Sequence, residues 1–507
     1  MNFPRSSGVL LHPTSLPGGH GIGDFGPEAY RFLDFLHSAG QKLWQVLPLN
    51  PTGYADSPFQ CFSASAGNPL LISLDQLAEQ GILTRTDLQS VPAFPLETVD
   101  YGAVARFKMP LLQKAARNFL ANASADSRRD FEEFTHLHAS WLDDFALFMA
   151  VKEDHNNVAW TQWHADIATR QPDAMRRNRE KLASAIKAQK FFQYVFFQQW
   201  QKLRAYGRER NIRIIGDVPI YVAHDSADVW ANPQFFLLDE RGIPLKIAGV
   251  PPDYFSATGQ CWGNPIYNWP LLKQTRFQWW VERLRAALRL YDFIRIDHFR
   301  GFEAYWEVPG RETTAVNGRW VKAPGAELFS VLREEFGDLP IIAENLGVIT
   351  PEVEALRHEF GLPGMAILQF AFGNDPQAPT FKPHNYVRNL VAYTGTHDND
   401  TVVGWWNSSG AGDSTRTAED VAKEHAHARA YLGFTDEPVN WVLIRAIMAS
   451  VANIAIMPMQ DILGLGSEAR MNLPGMPSGY WKWRMKHGVA STEIAATLKN
   501  FAILYDR

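Results

Sequence analysis

The sequence predicts an α/β fold, a (β/α)8 TIM barrel with large, mostly helical insertions between the barrel strands. Two observations predict this fold. Eight short apolar runs have the length and composition of buried strands, and stretches with helical spacing lie between most of them. Eight parallel strands that alternate with helices are the pattern of a closed barrel. A doubly wound parallel sheet is the competing architecture. The candidate strands are residues 8–11, 43–47, 212–216, 293–296, 341–343, 366–370, 390–393 and 453–457.

The first three elements set the direction of the predicted sheet. A turn-rich segment, HPTSLPGGHGIGDFG, follows the first run, and helical spacing then covers residues 30–38. The second run, residues 43–47, stops at Pro48. A strand, a helix and a second strand in this order imply parallel pairing through a right-handed crossover.

The domain boundaries follow from where the strand pattern is interrupted. Residues 1–58 and 200–507 carry the barrel, and residues 59–199 form a largely helical insertion subdomain. Residues 232–270 are a Gly- and Pro-rich segment, long enough to act as a lid or binding loop. We expect no separate C-terminal β domain. Helical spacing is clearest at residues 107–120, 141–154 and 278–290.

Composition excludes several classes of partner. The 49 Lys and Arg residues against 54 Asp and Glu residues give a net charge of −5, so we expect no nucleic-acid partner. There is no long basic run and no apolar stretch of about 18 residues, so we expect no membrane partner. The two cysteines, Cys61 and Cys261, lie far apart and form no CxxC pattern. A reducing, cytoplasmic location is the simplest interpretation.

Acidic residues follow four of the predicted strands. The carboxyl ends of barrel strands open on one bowl, so these residues are expected to meet there. Several carboxylates in one site repel each other when ionised, so one of them tends to stay protonated. A protonated acid beside an ionised one can cleave a glycosidic bond. The bowl would gather Asp217, Asp297, Glu344 and Asp398 with Arg295, His298 and His397.

Two other interpretations of this cluster remain open from residue types alone. Arg295 and Arg300 favour an ionised Asp297, which could attack an electron-poor carbon or form a buried ion pair that only fixes the barrel mouth. Metal-assisted hydrolysis is less favoured, because His298 and His397 come from different strands and neither belongs to an HxH pair. We therefore expect no metal and no cofactor.

Three aromatic segments lie in polar stretches without helical spacing. They contain Tyr54, Trp262 and the pair Trp405–Trp406. Flat rings on loops suit the apolar faces of sugar rings, and other flat ligands equally.

The motifs themselves resemble those of a known family. They include SGVLLHPTSLPGGHGIGDFG, WQVLPLNPTGYADSPF, GDVPIYV, PPDYFSATGQCWGNPIY, IRIDHFRGF, IIAENLG, THDNDT and QDILGLGSEARMNLPG. Their order and number resemble the 4-α-glucanotransferases called amylomaltases or disproportionating enzymes, glycoside hydrolase family 77 of the α-amylase clan. The resemblance runs nearly end to end. One departure is Phe59, where the family often has tyrosine.

The resemblance implies a role for each candidate residue. Asp297 would be the nucleophile, Glu344 the acid/base and Asp398 the transition-state stabiliser. Residues 232–270 would be the lid on the acceptor side. The implied substrate-binding residues are Arg295, His298, His397, Asp217, Tyr54, Ser57, Gln260, Trp262, Asn345 and Asn399.

The resemblance also implies an activity and its partners. The enzyme would transfer α-1,4-glucan segments between maltodextrins, with disproportionation and cyclisation as outcomes, by a retaining double displacement through a covalent glycosyl-enzyme. Maltodextrins and α-1,4-glucans derived from starch or glycogen would be its partners, and it would act as a monomer or weak oligomer. An α-1,4-glucan hydrolase on the same barrel, or a non-catalytic glucan-binding protein, are the alternatives.

Overall fold

The computed structural model describes residues 3–252, 258–410, 416–434, 436–476 and 478–507, with Tyr54 described by its main chain only. Twelve strands lie among these residues. They are β1 (Ser6–Leu10), β2 (Leu43–Gln45), β3 (Arg213–Pro219), β4 (Lys246–Val250), β5 (Gln260–Pro265), β6 (Phe293–Asp297), β7 (Ala304–Pro309), β8 (Arg319–Lys322), β9 (Ile341–Ala343), β10 (Gly364–Ile367), β11 (Leu390–Tyr393) and β12 (Ile454–Pro458).

Helices of very different length connect the strands. The described residues contain α1 (Pro27–Ser38), α2 (Leu74–Glu79), α3 (Tyr101–Asn122), α4 (Ala125–Leu137), α5 (Ala139–Asp154), α6 (Ala165–Ala168), α7 (Pro172–Lys181), α8 (Ala183–Glu209), α9 (Ala227–Ala231), α10 (Trp269–Gln274), α11 (Gln278–Leu290), α12 (Gly325–Phe336), α13 (Pro351–Glu359), α14 (Val402–Asn407), α15 (Ala418–Leu432), α16 (Val439–Ala449), α17 (Met459–Ile462) and α18 (Thr492–Leu504). None of these helices has the length and apolar character to cross a membrane.

Eight of the strands form one parallel sheet, in the order β10-β11-β12-β1-β2-β3-β6-β9. Hydrogen bonds bring its two ends together: the Ala343 N–H donates to the Pro363 carbonyl at 2.9 Å, and the Met365 N–H donates to Asn345 Oδ1 at 2.8 Å. The sheet therefore closes into a (β/α)8 barrel, which confirms the predicted fold class.

Close packing against strand β3 explains one glycine. Gly216 precedes Asp217 on β3, and a Cβ at this position would lie 2.1 Å from the ring of Tyr291. The Tyr291 hydroxyl accepts a hydrogen bond from the Leu49 N–H at 3.1 Å, so the ring crosses from one strand end to the next. A side chain at position 216 would displace this ring and with it the strand that carries Asp217.

The strand boundaries differ from prediction mainly at β10. The predicted run, residues 366–370, starts two residues late, because the strand begins at Gly364 and gives way to a short 3₁₀ helix over Leu368–Ala371. The run LQFA is as apolar as the strand before it, so hydrophobicity alone does not mark where the backbone turns.

Helices α2 to α8 occupy the long interruption between β2 and β3. Helices α3 and α5 contain the segments 107–120 and 141–154 that helical spacing predicted. Helix α8 continues past residue 199 to Glu209 and leads directly into β3. The division into a barrel and an insertion subdomain stays a prediction.

A second sheet was not predicted. Strands β5, β4, β7 and β8 form an antiparallel sheet in this order. Two of them, β4 and β5, lie inside the segment 232–270, which the sequence indicated as a loop. Both contain glycine or proline, and β4 pairs along its other edge with β7, with Ile247 opposite Val308. Pairing between segments so far apart in sequence leaves no local signal.

Candidate active site

The carboxyl ends of the barrel strands place the predicted acids on one side of the sheet. Asp297 is the last residue of β6, and Asp217 lies on β3 opposite Arg295 in the parallel register. Glu344 directly follows β9, and Asp398 lies in the turn after β11. All four belong to parallel strands of one closed barrel, so their side chains share its mouth.

Arg295 links two of these acids. Its Nη1 donates to both carboxylate oxygens of Asp217, at 2.7 and 2.8 Å, and lies 2.9 Å from Asp297 Oδ1. Although burial lowers the pKa of Arg295, the charges of Asp217, Asp297 and Glu344 hold it well above its usual value. Burial raises the pKa of Asp217 to about 7, and Arg295 opposes this rise. The guanidinium thus contacts one carboxylate oxygen of Asp297, Oδ1, and makes no contact with the other.

Glu344 is held by two backbone N–H groups. Its Oε2 accepts from the His298 N–H at 2.6 Å, and its Oε1 accepts from the Leu346 N–H at 2.8 Å. His298 has a left-handed backbone, with φ of 54°, and its N–H reaches Glu344 from that turn. Burial and the neighbouring Asp297 raise the pKa of Glu344 to about 7, against Arg295 and these hydrogen bonds. Near neutral pH the protonated and ionised forms of Glu344 are therefore both populated.

Asp398 is held by residues of the segment that follows α17. Asn472 Nδ2 donates to Asp398 Oδ1 at 2.6 Å, and Arg470 donates to the Asp398 main-chain oxygen at 2.7 Å. The His397 Nε2 atom lies 3.4 Å from the same Oδ1. The Asp398 side chain keeps 42% of its surface exposed, so it can face a ligand while its position is fixed. No local pattern in the sequence indicates a role for Arg470 or Asn472.

His397 lies between aromatic rings. The Phe59 ring stacks on it with centroids 4.9 Å apart, and the Trp481 ring lies 5.7 Å away at 36°. Burial lowers the pKa of His397, so the ring is neutral at neutral pH. Phenylalanine at position 59 supplies the stacked ring without a hydroxyl group.

Two of the predicted lid residues, Gln260 and Trp262, lie on β5, and Trp262 contacts His298, which follows β6. Trp262 Nε1 donates to Gln260 Oε1 at 3.1 Å, which fixes the indole orientation. The Trp262 ring stands perpendicular to the His298 ring, with centroids 4.8 Å apart. Burial lowers the pKa of His298 to about 4, so this ring too is neutral. The second sheet therefore covers the β6 end of the mouth with an aromatic wall.

Asn345 uses both ends of its amide within the protein. Its Oδ1 accepts from the Met365 N–H, and its Nδ2 donates to Glu354 Oε1 at 2.8 Å. The first bond spans the closing edge of the barrel, one residue after Glu344, and the second ties Asn345 to helix α13. Its assignment as a substrate-binding residue stays a prediction.

Three further predicted binding residues have fewer contacts. Asn399 Oδ1 accepts from the Thr396 N–H at 2.8 Å and from the Thr396 hydroxyl at 2.9 Å. Ser57 Oγ accepts from the Phe59 N–H at 3.3 Å. The Tyr54 main chain forms a short 3₁₀ turn, and its side chain lies outside the described residues. Their binding roles stay predictions.

The expectation that Trp405 and Trp406 stand free on a loop is wrong. Both lie in α14, whose first turn is capped by the Thr401 side chain. Trp405 is buried and donates from Nε1 to Glu424 at 3.2 Å. The Trp406 ring stacks on His425 with centroids 4.1 Å apart. A helix of six residues is too short to show periodicity in the sequence, which explains the error.

Among the residues that the structure describes, no three His, Cys, Asp or Glu side chains are grouped so that they could hold a metal ion. The buried carboxylates are instead satisfied by Arg295 and by backbone N–H groups.

Comparisons with a family profile, with related sequences and with solved structures all point to the same family. The sequence profile of the 4-alpha-glucanotransferase family, glycoside hydrolase family 77, matches residues 11–490. A 4-alpha-glucanotransferase of Thermus thermophilus is 52% identical over 515 residues, covering 100% of both chains. One from Synechocystis sp. is 51% identical, covering 99% of this chain and 98% of its own. The amylomaltase from Streptococcus agalactiae, solved in complex with acarbose, superposes with a TM-score of 0.94 at 43% identity over 99% of each chain.

Proposed function

Because the chain belongs to the 4-alpha-glucanotransferase family, glycoside hydrolase family 77, we propose that it transfers α-1,4-glucan segments between maltodextrins by a retaining double displacement. Its substrates would be maltodextrins and α-1,4-glucans derived from starch or glycogen. One observation carries the mechanism: Asp297 is paired with a buried arginine, while the pKa of the nearby Glu344 is raised to about 7. A base-form carboxylate and a proton-bearing acid are the two groups that retention requires.

In the first half-reaction, Asp297 attacks the anomeric carbon of the donor. A bond forms between this carbon and an Asp297 oxygen, and the bond to the leaving 4-oxygen breaks as Glu344 delivers its proton to that oxygen. Arg295 orients Asp297 through its contact with Oδ1. Asp398, positioned by Asn472, stabilises the positive charge that develops on the sugar ring.

In the second half-reaction, the 4-hydroxyl group of an acceptor glucan replaces the leaving chain. Glu344, now ionised, removes its proton while the new bond to the anomeric carbon forms and Asp297 is released. Transfer competes with hydrolysis, because water can enter in place of the acceptor. Trp262, held against His298, excludes water from this side of the mouth until an acceptor stacks there.

Incubation with maltotriose tests the proposed transfer. We expect glucose together with a ladder of maltodextrins longer than maltotriose, resolved by chromatography of the products. Glucose and maltose alone would identify an α-1,4-glucan hydrolase instead. Binding of maltotriose without any product would identify a non-catalytic glucan-binding protein.

The Trp262→Ala variant tests the exclusion of water. We expect the ratio of hydrolysis to transfer with maltotriose to rise several-fold, because water gains access to the intermediate when the indole is removed. The measurement compares the gain in total reducing ends, which only hydrolysis produces, with the amount of products longer than maltotriose. The Trp262→Phe variant is the matched control: it keeps a ring against His298, loses only the hydrogen bond to Gln260, and should stay close to the parent ratio. An unchanged ratio in Trp262→Ala would show that the indole does not exclude water.

A further inference from the structure

One aromatic side chain outside the mouth has no role in the proposed reaction. Trp320 lies on β8, at the edge of the antiparallel sheet, and 39% of its surface is exposed. Among the aromatic residues whose side chains the structure describes, it is the one that falls in the exposed class. Its exposed indole offers a flat apolar face on which a ligand could stack.

The exposed ring is held in one orientation. The Arg300 guanidinium carbon lies 3.8 Å from the centroid of the Trp320 ring. Trp306, its cross-strand partner, approaches with centroids 5.2 Å apart and an interplanar angle of 68°. Trp306 is fixed in turn, because its Nε1 donates to the Ala315 carbonyl at 2.8 Å. A ligand that stacks on Trp320 would therefore pay little to immobilise it.

Arg300 connects this ring to the catalytic segments. It lies three residues after Asp297, and its Nη1 donates to the main-chain oxygen of Val348, four residues after Glu344. Glu344 must stand on the leaving-group side of the cleaved bond to protonate the leaving oxygen. Trp320 is thus attached to the side of the mouth where the leaving chain departs and the acceptor chain arrives.

The surroundings of Trp320 select the kind of ligand. Its strand neighbours Arg319 and Lys322 have 73% exposed side chains and are ion-paired with Glu307 and Glu303. Paired charges offer little to nucleic acid, and a single ring rimmed by charges is smaller than the apolar area of a stable protein interface. A neutral chain with apolar sugar faces and a hydroxyl rim fits both the ring and its polar border.

We propose that Trp320 is a stacking site for α-1,4-glucan chains that extend beyond the mouth on the acceptor side. This inference rests on the proposed glucan transfer and adds a binding site outside the cleft. It would favour long chains over short ones, because only a long chain reaches the cleft and Trp320 together.

Binding to amylose tests this site without turnover. In the inactive Asp297→Asn background, affinity electrophoresis through gels containing amylose should show the apparent Kd rising about fivefold for Trp320→Ala. Trp320→Tyr keeps a flat ring and should bind close to the parent. Trp320→Leu keeps apolar volume without the ring and should bind as weakly as Trp320→Ala. Equal affinity in the Ala variant, or full rescue by Leu, would overturn the proposal.

Kinetics of Trp320→Ala with all catalytic residues intact distinguish a binding role of Trp320 from a role in the reaction itself. For Trp320→Ala, the KM for amylose should rise by a larger factor than the KM for maltotriose. Equal factors would indicate a general loss of structure and overturn the stacking role. A change in oligomeric state by light scattering, with amylose affinity intact, would identify the ring as a contact between copies and equally overturn it. If maltotriose gives no transfer products in the parent enzyme, the proposed function itself fails, whatever Trp320 does.

Discussion

Asp297→Asn is expected to lower turnover of maltodextrins by at least about 10⁴-fold, because the amide cannot form the covalent bond to the anomeric carbon. Maltodextrin binding should persist, since the ring contacts of the mouth are unchanged. The fold should persist too, because Arg295 retains both hydrogen bonds to Asp217 when the charge of Asp297 is lost. Turnover is measured by product chromatography with maltotriose, and binding by calorimetry.

The control for this variant is another arginine-paired aspartate far from the mouth. Asp34 Oδ1 accepts from Arg210 Nε at 2.8 Å on the protein surface, and Asp34→Asn should retain parent activity. Trapping gives an independent test, since a glycosyl adduct found by mass spectrometry must map to Asp297. Substantial activity in Asp297→Asn, or an adduct on another residue, would remove Asp297 from the nucleophile role.

The parts of the site that the sequence could indicate are those carried by strand ends. Asp297 and Glu344 each end a short apolar run, and a barrel brings such ends together whatever the loops do. The bonds made by Arg295 to Asp217 follow from the register of β3 and β6, which pairs these two residues directly. Local pattern and barrel topology were sufficient to predict that these residues lie at one mouth, but not the bonds between Arg295 and Asp217, which depend on the register.

The parts that could not be predicted depend on contacts between distant segments. Asn472 contacts Asp398, which lies more than 70 residues away in the sequence, and its motif MNLPG does not indicate this partner. The antiparallel sheet pairs β4 with β7, and neither segment has a sequence pattern that indicates this pairing. Stacking of Phe59 on His397 likewise has no local signature. In each case the partner is chosen by tertiary packing, which a single sequence does not encode locally.

Glu344→Gln is expected to lower turnover of maltodextrins by about 10²- to 10⁴-fold, the usual contribution of a general acid and base. The amide cannot give a proton to the leaving 4-oxygen. A glycosyl fluoride donor needs no such proton, so the first step should recover and release a burst of fluoride. Azide, which needs no general base, should then restore turnover. The measurements are fluoride release and analysis of the azide product.

The raised pKa of Glu344 predicts a pH dependence with a definite sign. The first step needs the protonated form, and the pKa of about 7 means that this form is lost as the pH rises through 7. The profile of kcat/KM for maltotriose against pH should therefore have an alkaline limb: it should be level just below pH 7 and fall about tenfold per pH unit above pH 7. With the fluoride donor, release by Glu344→Gln should lack this limb.

Asp217 provides the discriminating control, because burial raises its pKa to about 7 as well. Asp217→Asn removes that group while Glu344 keeps both of its backbone N–H donors, from His298 and Leu346. Its residual activity should retain the alkaline limb if the limb reports Glu344. Loss of the limb in Asp217→Asn, or no fluoride burst from Glu344→Gln, would transfer the acid role away from Glu344. A decline that survives in Asp217→Asn and is absent from Glu344→Gln would tie the departing proton to Glu344, whose pKa burial and Asp297 raise to about 7.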